Sequence, residues 1–481
     1  MWTGCCIGNN LRVHLIVFAF PNIKSCLVAG MFSLTMASCS LLGPIDDIHP
    51  ENVLDDETVI TDARSAEIAV NGIYEGWRAK SSIYNALFLR TGVMQSSSVS
   101  GARSFLTGDI QDDNVIVEET YIFLYYIINQ ANSVLAALDK DIKGLSEEEN
   151  LNYQREAKFN RAMANFMLLR LYGEFCNMDS QYGIVLHDAP VRDNTPKARA
   201  TVRQCYTSIL DDLKEAEVLP VKHSSLGTVA MYYGNYLSAK ALKAKVLLSM
   251  GNFDEAYKLA DEVITKGADE GIMLEPVYGD IFSSFQSTDL LFYPYTMNNQ
   301  QTVAGYRYDW SAGAGNTLRK IAALYPEDKR YAWAFDAENM ISSYRMNKYQ
   351  MNDNVDKVPG NSLYMLRLSE MYLVKAEAAI RKPAPDFTAA REALRPITDR
   401  VGFAADFVDN VADKDMLMTV FYQKYLELFG ENFEDWFDMI RYNKLDGTDW
   451  VALGYVNSWT RLALPIPRSA IAGNDLLVQN P

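Results

Sequence analysis

The stretch AKALKAKVLLSMGNFDEAYKLADEVITKG, residues 239–267, decides the fold. Its second half places Phe253, Ala256, Tyr257, Ala260, Val263 and Ile264 at helical spacing on one face. Alanine at the close-contact positions lets a neighbouring helix approach tightly. Gly251 supplies the left-handed residue that ends the first helix before the Gly-Asn-Phe turn. The segment is predicted to be one helix, a tight turn and a second helix.

That unit carries the tetratricopeptide pattern, and related segments lie on both sides of it. Upstream, 61–78 reads as a helix capped by Thr61, and 121–138 (YIFLYYIINQANSVLAAL) as a helix apolar on nearly every face, predicted to be fully buried. In 156–175, Phe159, Ala162, Met163 and Phe166 recur at helical spacing, and 201–220 follows after a loop with Pro190 and Pro196. Downstream, 364–400 forms a second pair and 414–443 a last helical stretch. The intervals are far from a constant 34 residues, so the helix pairs are expected to be interrupted by insertions that pack back on them.

Two regions lose the helical period. Residues 91–117 are rich in Ser, Gly and Asp and read as a long loop region. The larger is 268–362, with room for a few short strands. Within it, LLFYPYTMNNQQTVAGYRYDWSAGAGN (290–316) gathers Tyr293, Tyr295, Tyr306, Tyr308, Trp310 and the amides Asn298, Asn299 and Gln300. Aromatic faces and amides are what sites for sugars or peptides use for contact and orientation. The other reading is that these rings form the insertion's own small core. Gly305, Gly313 and Gly315 mark irregular exposed backbone and favour a site for the cluster as a whole.

The chain has 481 residues, 49% of them hydrophobic, which suffices for more than one packed unit. It is acidic, with 61 Asp and Glu against 45 Lys and Arg, which argues against nucleic acid as a partner. The first 38 residues hold two cations, Arg12 and Lys24, and no acid. An apolar run (26–36) follows Lys24 and closes on Ala37-Ser38-Cys39, the layout of a signal peptide ending in a lipobox. Cys39 is therefore expected to be acylated and to become the first mature residue, with 40–60 as a polar tether. Cys176 and Cys205 make no disulfide framework.

Catalytic chemistry is hard to assemble. His49, His187 and His223 are widely spaced in loop-like settings, and no HExxH, CxxC pair, GxSxG or phosphate-cradling loop is present. Glu147-Glu148-Glu149 and Asp211-Asp212 read as solvated faces and first-turn residues. Glu370 and Glu377 share a helix face with Arg367 and read as an internal ion-pair network rather than a glycosidase pair. No cofactor or metal is expected.

Taken in order, several stretches carry a family resemblance: Cys39 with an early acidic stretch, NGIYEGW (71–77), EAKFNRAMANFMLLRLYGEF (156–175), ATVRQCYTSILDDLKEAEVLP (200–220), the Gly-Asn-Phe turn, RLSEMYLVKAEA (367–378), ELFGENFEDWFDMIR (427–441) and the LPIP…QNP tail. The chain resembles the SusD/RagB family of outer-membrane nutrient-binding lipoproteins. It departs at Gln423-Lys424, where the family tends to carry Glu-Arg, and at Asp435, where it tends to carry Arg.

The resemblance implies a mostly α fold, a tetratricopeptide-like helix-pair bundle with a large irregular insertion. It implies a surface lipoprotein that binds an oligosaccharide, or a peptide, and delivers it to a SusC-type TonB-dependent outer-membrane barrel. It places the ligand at the loops around 91–110 and the insertion at 276–316. The residues expected there are Arg103, Tyr295, Asn298, Asn299, Gln300, Tyr306, Tyr308 and Trp310. The expected organisation is a signal peptide (1–38), a lipidated tether (39–60), a helical part (61–267), the ligand-binding insertion (268–362) and a C-terminal helical part packing back on the core (363–481). Two rivals differ in class. A tetratricopeptide scaffold for outer-membrane assembly would need no aromatic insertion. A helical glycan hydrolase would need a carboxylate pair in the aromatic pocket, where 290–316 offers only Asp309.

Overall fold

A computed structural model describes residues 60–77, 82–193, 195–223, 230–282, 287–294, 314–335, 348 and 364–481. In chain order the helices are α1 (Ala63–Gly76), α2 (Ser82–Thr91), α3 (Arg103–Thr107), α4 (Val115–Leu138), α5 (Glu147–Tyr172), α6 (Val202–Ala216), α7 (Tyr236–Met250) and α8 (Phe253–Asp269). After a 3₁₀ turn (Tyr278–Phe282) and strand β1 (Leu290–Phe292) come α9 (Asn316–Ala323) and α10 (Lys329–Ala334). Strand β2 (Leu366–Arg367) then leads into α11 (Leu368–Arg381), α12 (Phe387–Asp399), α13 (Phe407–Asn410), α14 (Asp413–Leu428), α15 (Glu434–Asp446) and α16 (Arg468–Ala472). The fold is mostly α, as the sequence predicts.

Local chemistry sets the helix starts. Asp62, not Thr61, caps α1: its carboxylate accepts from Ser65 N–H while Ser65 reaches back, a reciprocal capping box. Ser146 with Glu149, Thr201 with Gln204, and Asn235 with Ser238 do the same for α5, α6 and α7. Glu147 to Glu149 are exposed first-turn residues as expected. Gly251 ends α7 at φ 80°, and Ala256, Ala260 and Val263 are fully buried on α8.

The helix pairs stay continuous in space although the sequence interrupts them. α4 packs on α5, α5 on α6, α7 on α8 and α11 on α12. α8 packs directly on α11, so two helices separated by residues 270–367 of sequence are neighbours in space. β1 and β2 pair antiparallel, Leu290 opposite Arg367 and Phe292 opposite Leu366. The pairing joins 290–292 to 366–367 in a neck, where Leu368 N–H donates to Asp289 O at 2.7 Å.

Besides the Thr61 cap, four expectations need correction. The stretch 414–443 is two helices, broken where Gly430 and Phe433 both take positive φ. The loop region 91–117 contains the one-turn helix α3 and the start of α4. Asp212 is not solvated: it is buried and paired with Arg161 at 2.6 Å, while Asp211 is exposed. α4 is not buried all round. Val115, Ile122 and Tyr126 form an exposed apolar stripe, Ile122 at 59%. Among the described residues α4 is the one helix long and apolar enough to cross a membrane, and half of its most apolar window is buried against the rest of the protein.

Candidate functional site

The loop after α2 and the end of the insertion meet. Met94 and Ala314 form an antiparallel bridge. Gly315 N–H donates to Val93 O at 2.7 Å, and Leu318 N–H to Gly92 O at 3.2 Å. Only glycine fits at 315, because a Cβ there would collide with the Gly92 carbonyl. The two regions assigned to the ligand, 91–110 and 276–316, are thus joined at one seam. Arg103 lies in the same loop region, exposed in the first turn of α3. Asn114 holds that turn, its amide donating to Gly101 O at 3.0 Å and Ser104 Oγ at 2.9 Å. Tyr295, Asn298, Asn299, Gln300, Tyr306, Tyr308 and Trp310 lie outside the described residues, as does Cys39.

Tyr293, offered above as part of the stacking cluster, is core instead. It is 5% exposed and sits 6.2 Å, ring centre to ring centre, from both Tyr232 and Tyr364. Tyr364 stacks on Phe282 at 5.5 Å, and Tyr278 meets Trp333 edge-on at 5.5 Å. The neck of the insertion therefore has its own aromatic core, the alternative weighed from sequence, which applies here to the rings before residue 295.

A buried ion network fixes that neck. Arg367 of β2 donates to Glu431 at 2.7 Å and to Glu427 at 3.0 Å. Arg400 joins Asp289 at 2.9 Å to Glu427 at 2.5 Å, and Arg330 reaches Glu427 at 3.1 Å and Asp328 at 2.6 Å. Lys348 donates to Glu431 at 2.7 Å and to the Glu427 and Phe429 carbonyls at 2.8 Å each. Burial would raise the Glu427 pKa, yet Arg400, Arg367 and Arg330 together hold it far below the carboxylate range. The expected internal network exists: Glu370 pairs with Lys245 of α7, and Glu377 with Arg441 of α15 and with Arg381 one turn on in its own helix. Arg367 turns away from both of these glutamates and serves the neck, pairing with Glu427 and Glu431.

Behind the seam sits a different kind of charge. Thr91 Oγ donates to buried Asp435 at 2.6 Å, and Tyr425 OH donates to Thr91 O at 3.1 Å. Burial pushes the Asp435 carboxyl up to about 7, with Asp438 and Glu434 adding to the rise. Among the described residues no cation pairs with it. At the other departures, Gln423 accepts from Arg330 and Lys424 pairs with Asp438 at 2.9 Å. All three side chains are internal, in keeping with a structural reading of these helices.

Two further cavities carry none of the expected site residues. One, about 650 Å³, runs between α4 and the tail around α16 and includes Tyr121, Tyr125, Tyr126 and His187. The other, about 220 Å³, lies beside Cys176 and Lys444. His187 is half-buried against Tyr125, and His223 is exposed. Cys176 and Cys205 are both free. Among the described residues no cluster of His, Cys, Asp and Glu could hold a metal ion.

Comparison with known families decides the relationship. The SusD family model matches residues 278–481, and a second model, described as starch-binding and associating with the outer membrane, matches residues 46–248. The chain belongs to the SusD/RagB family. SusD-like protein P2 of Formosa agariphila is 27% identical over 292 residues, 58% of this chain and 54% of that protein, so the chain matches about half the length of this curated relative. The fold matches a SusD superfamily crystal structure from Bacteroides thetaiotaomicron at a TM-score of 0.71 and 22% identity, covering 88% of this chain and all of that one. A laminarin-binding SusD-like protein matches at 0.69 and 20% identity, over 88% of this chain and 99% of that one.

Proposed function

We propose that this SusD-family chain is a non-catalytic, cell-surface lipoprotein that binds an oligosaccharide and passes it to a SusC-type TonB-dependent barrel in the outer membrane. The observation that carries the reading is the seam at Met94 and Ala314, which brings the Arg103 loop region to the end of the aromatic insertion over a neck locked by buried ion pairs. A rigid frame of this kind suits a site whose rings come from loops, because it limits the ordering that binding must impose. The family description as starch-binding and outer-membrane-associating supports the ligand class and the location, and the laminarin-binding neighbour supports a glycan. Ala37-Ser38-Cys39 supports the lipid anchor. In this reading Tyr295, Tyr306, Tyr308 and Trp310 stack on sugar faces, and Asn298, Asn299, Gln300 and Arg103 orient hydroxyls.

Calorimetry against a panel of soluble oligosaccharides and peptides tests this. Tyr308→Ala and Trp310→Ala should each weaken glycan binding by about 1–3 kcal/mol, the value of one large buried side chain. Unchanged affinity would remove the site. Binding of peptides alone would replace the ligand class, and turnover of a glycan would overturn the non-catalytic reading.

A further inference from the structure

We propose that Arg90 and Trp459 form a small buried site for a halide-sized monovalent anion, directly behind the ligand seam. Arg90 lies in the last turn of α2, 3% exposed, with its guanidinium carbon 4.2 Å above the ring centre of Trp436, itself 1% exposed. One of its nitrogens donates to the Thr460 carbonyl. Its Nε and Nη1 are buried and have no partner among the described residues. The indole Nε1 of Trp459, the residue before Thr460, is buried and unpartnered in the same way. The Trp459 ring lies 5.4 Å from that of Trp436. Two residues with open N–H donors, Arg90 and Trp459, thus both contact the Trp436 ring.

The chemistry of this set is one-sided. Guanidinium and indole N–H groups only donate, so the site asks for an acceptor. A guanidinium taken out of water without a counter-charge costs several kcal/mol, which an anion offsets and a water molecule does not. The C-terminal end of α2 supplies only partial negative charge. The nearest candidate in sequence for a counter-ion, Asp435 beside Trp436, turns to Thr91 instead. Burial alone draws the Arg90 pKa down to about 9, with no carboxylate raising it. The 458–460 segment is also held in place: Thr460 Oγ donates to Gly108 O at 3.0 Å, and Gly108, at φ 76°, leaves no room for a side chain against Ser458. An anion here would tie the 458–460 segment to α2, one residue before the Thr91–Met94 run that meets Ala314.

Crystals of the protein soaked in sodium bromide test the site directly. The expected result is an anomalous peak within hydrogen-bonding distance of Arg90 Nε or Nη1 and Trp459 Nε1. Thermal melts at constant ionic strength should show a higher midpoint in bromide or chloride than in gluconate. Trp459→Phe, which deletes the N–H and keeps most of the ring, should lose most of that halide dependence while still folding. Four results would overturn the inference. They are a non-anomalous water at the donors, adventitious bromide at other places only, a carboxylate such as Asp435 or Asp309 resting on Arg90, and an equal halide effect in Trp459→Phe and wild type.

Discussion

Asp435→Asn should stabilise the protein, and by an amount that depends on pH. The Asp435 residue is 2% exposed, its carboxylate accepts from Thr91 Oγ at 2.6 Å, and among the described residues no cation pairs with it. Burial raises its pKa from the ordinary 3.8 to about 7. The folded state thus holds a proton that the unfolded state releases, so stability falls as pH rises from about 4 through about 7 and levels off above. At about 1.4 kcal/mol per pH unit, the full difference is about 4 kcal/mol. Water entry and side-chain relaxation trim it, so we expect about 2–4 kcal/mol. The asparagine amide oxygen still accepts from Thr91, so the substitution removes the ionisation and little else. Urea unfolding of wild type and variant, followed by tryptophan fluorescence from pH 4 to 8.5, should show equal stability near pH 4 and a gap that widens to pH 7 in favour of the variant. The strongly depressed carboxylates Glu427, Glu377 and Glu434 titrate alike in both proteins and drop out of the difference. A variant less stable than wild type at pH 8 would refute the reasoning, because it would mean that Asp435 is ionised and paired in the folded protein.

The ion network predicts the opposite sign. Arg367→Met leaves Glu431 and Glu427 short of a buried partner and should cost about 3–5 kcal/mol by denaturant unfolding. Gly315→Ala should weaken glycan affinity in calorimetry more than it lowers the melting temperature, since its Cβ meets the Gly92 carbonyl at the seam and not the helical core. Gly251→Ala forces a side chain into a left-handed turn at φ 80° and should cost about 1 kcal/mol by the same unfolding assay, with no effect on ligand binding.

The helix pairs were legible because their information is local. Period, close-contact alanines and Gly251 all lie within a few residues, and α6 to α8 fall close to where these cues put them, while α5 starts nine residues before the stretch read at 156–175. The family was legible from the order of several short stretches. Long-range facts were not. Nothing in residues 121–138 says that Ile122 and Tyr126 stay uncovered, since that depends on where α16 and the tail run. Asp212 looked solvated because its partner, Arg161, is 51 residues away. Tyr293 could not be told from Tyr295 by type: its burial follows from β1 pairing with β2 across 74 positions of sequence. The seam between 91–94 and 314–318 had a faint signal in Gly92 and Gly315, visible as glycines but not as partners. Arg90 and Trp459 lay in stretches with no motif, and only the fold puts them around the same ring.

The central claim is that the loops at 91–110 and the rings at 295–310 together take a glycan. Hydrogen exchange of the protein with and without the tightest-binding oligosaccharide from the panel tests it most directly. The account predicts protection concentrated in those two segments, lost in Trp310→Ala. Protection confined to the groove around Tyr121, Tyr125 and His187, with the two segments unchanged, would contradict it.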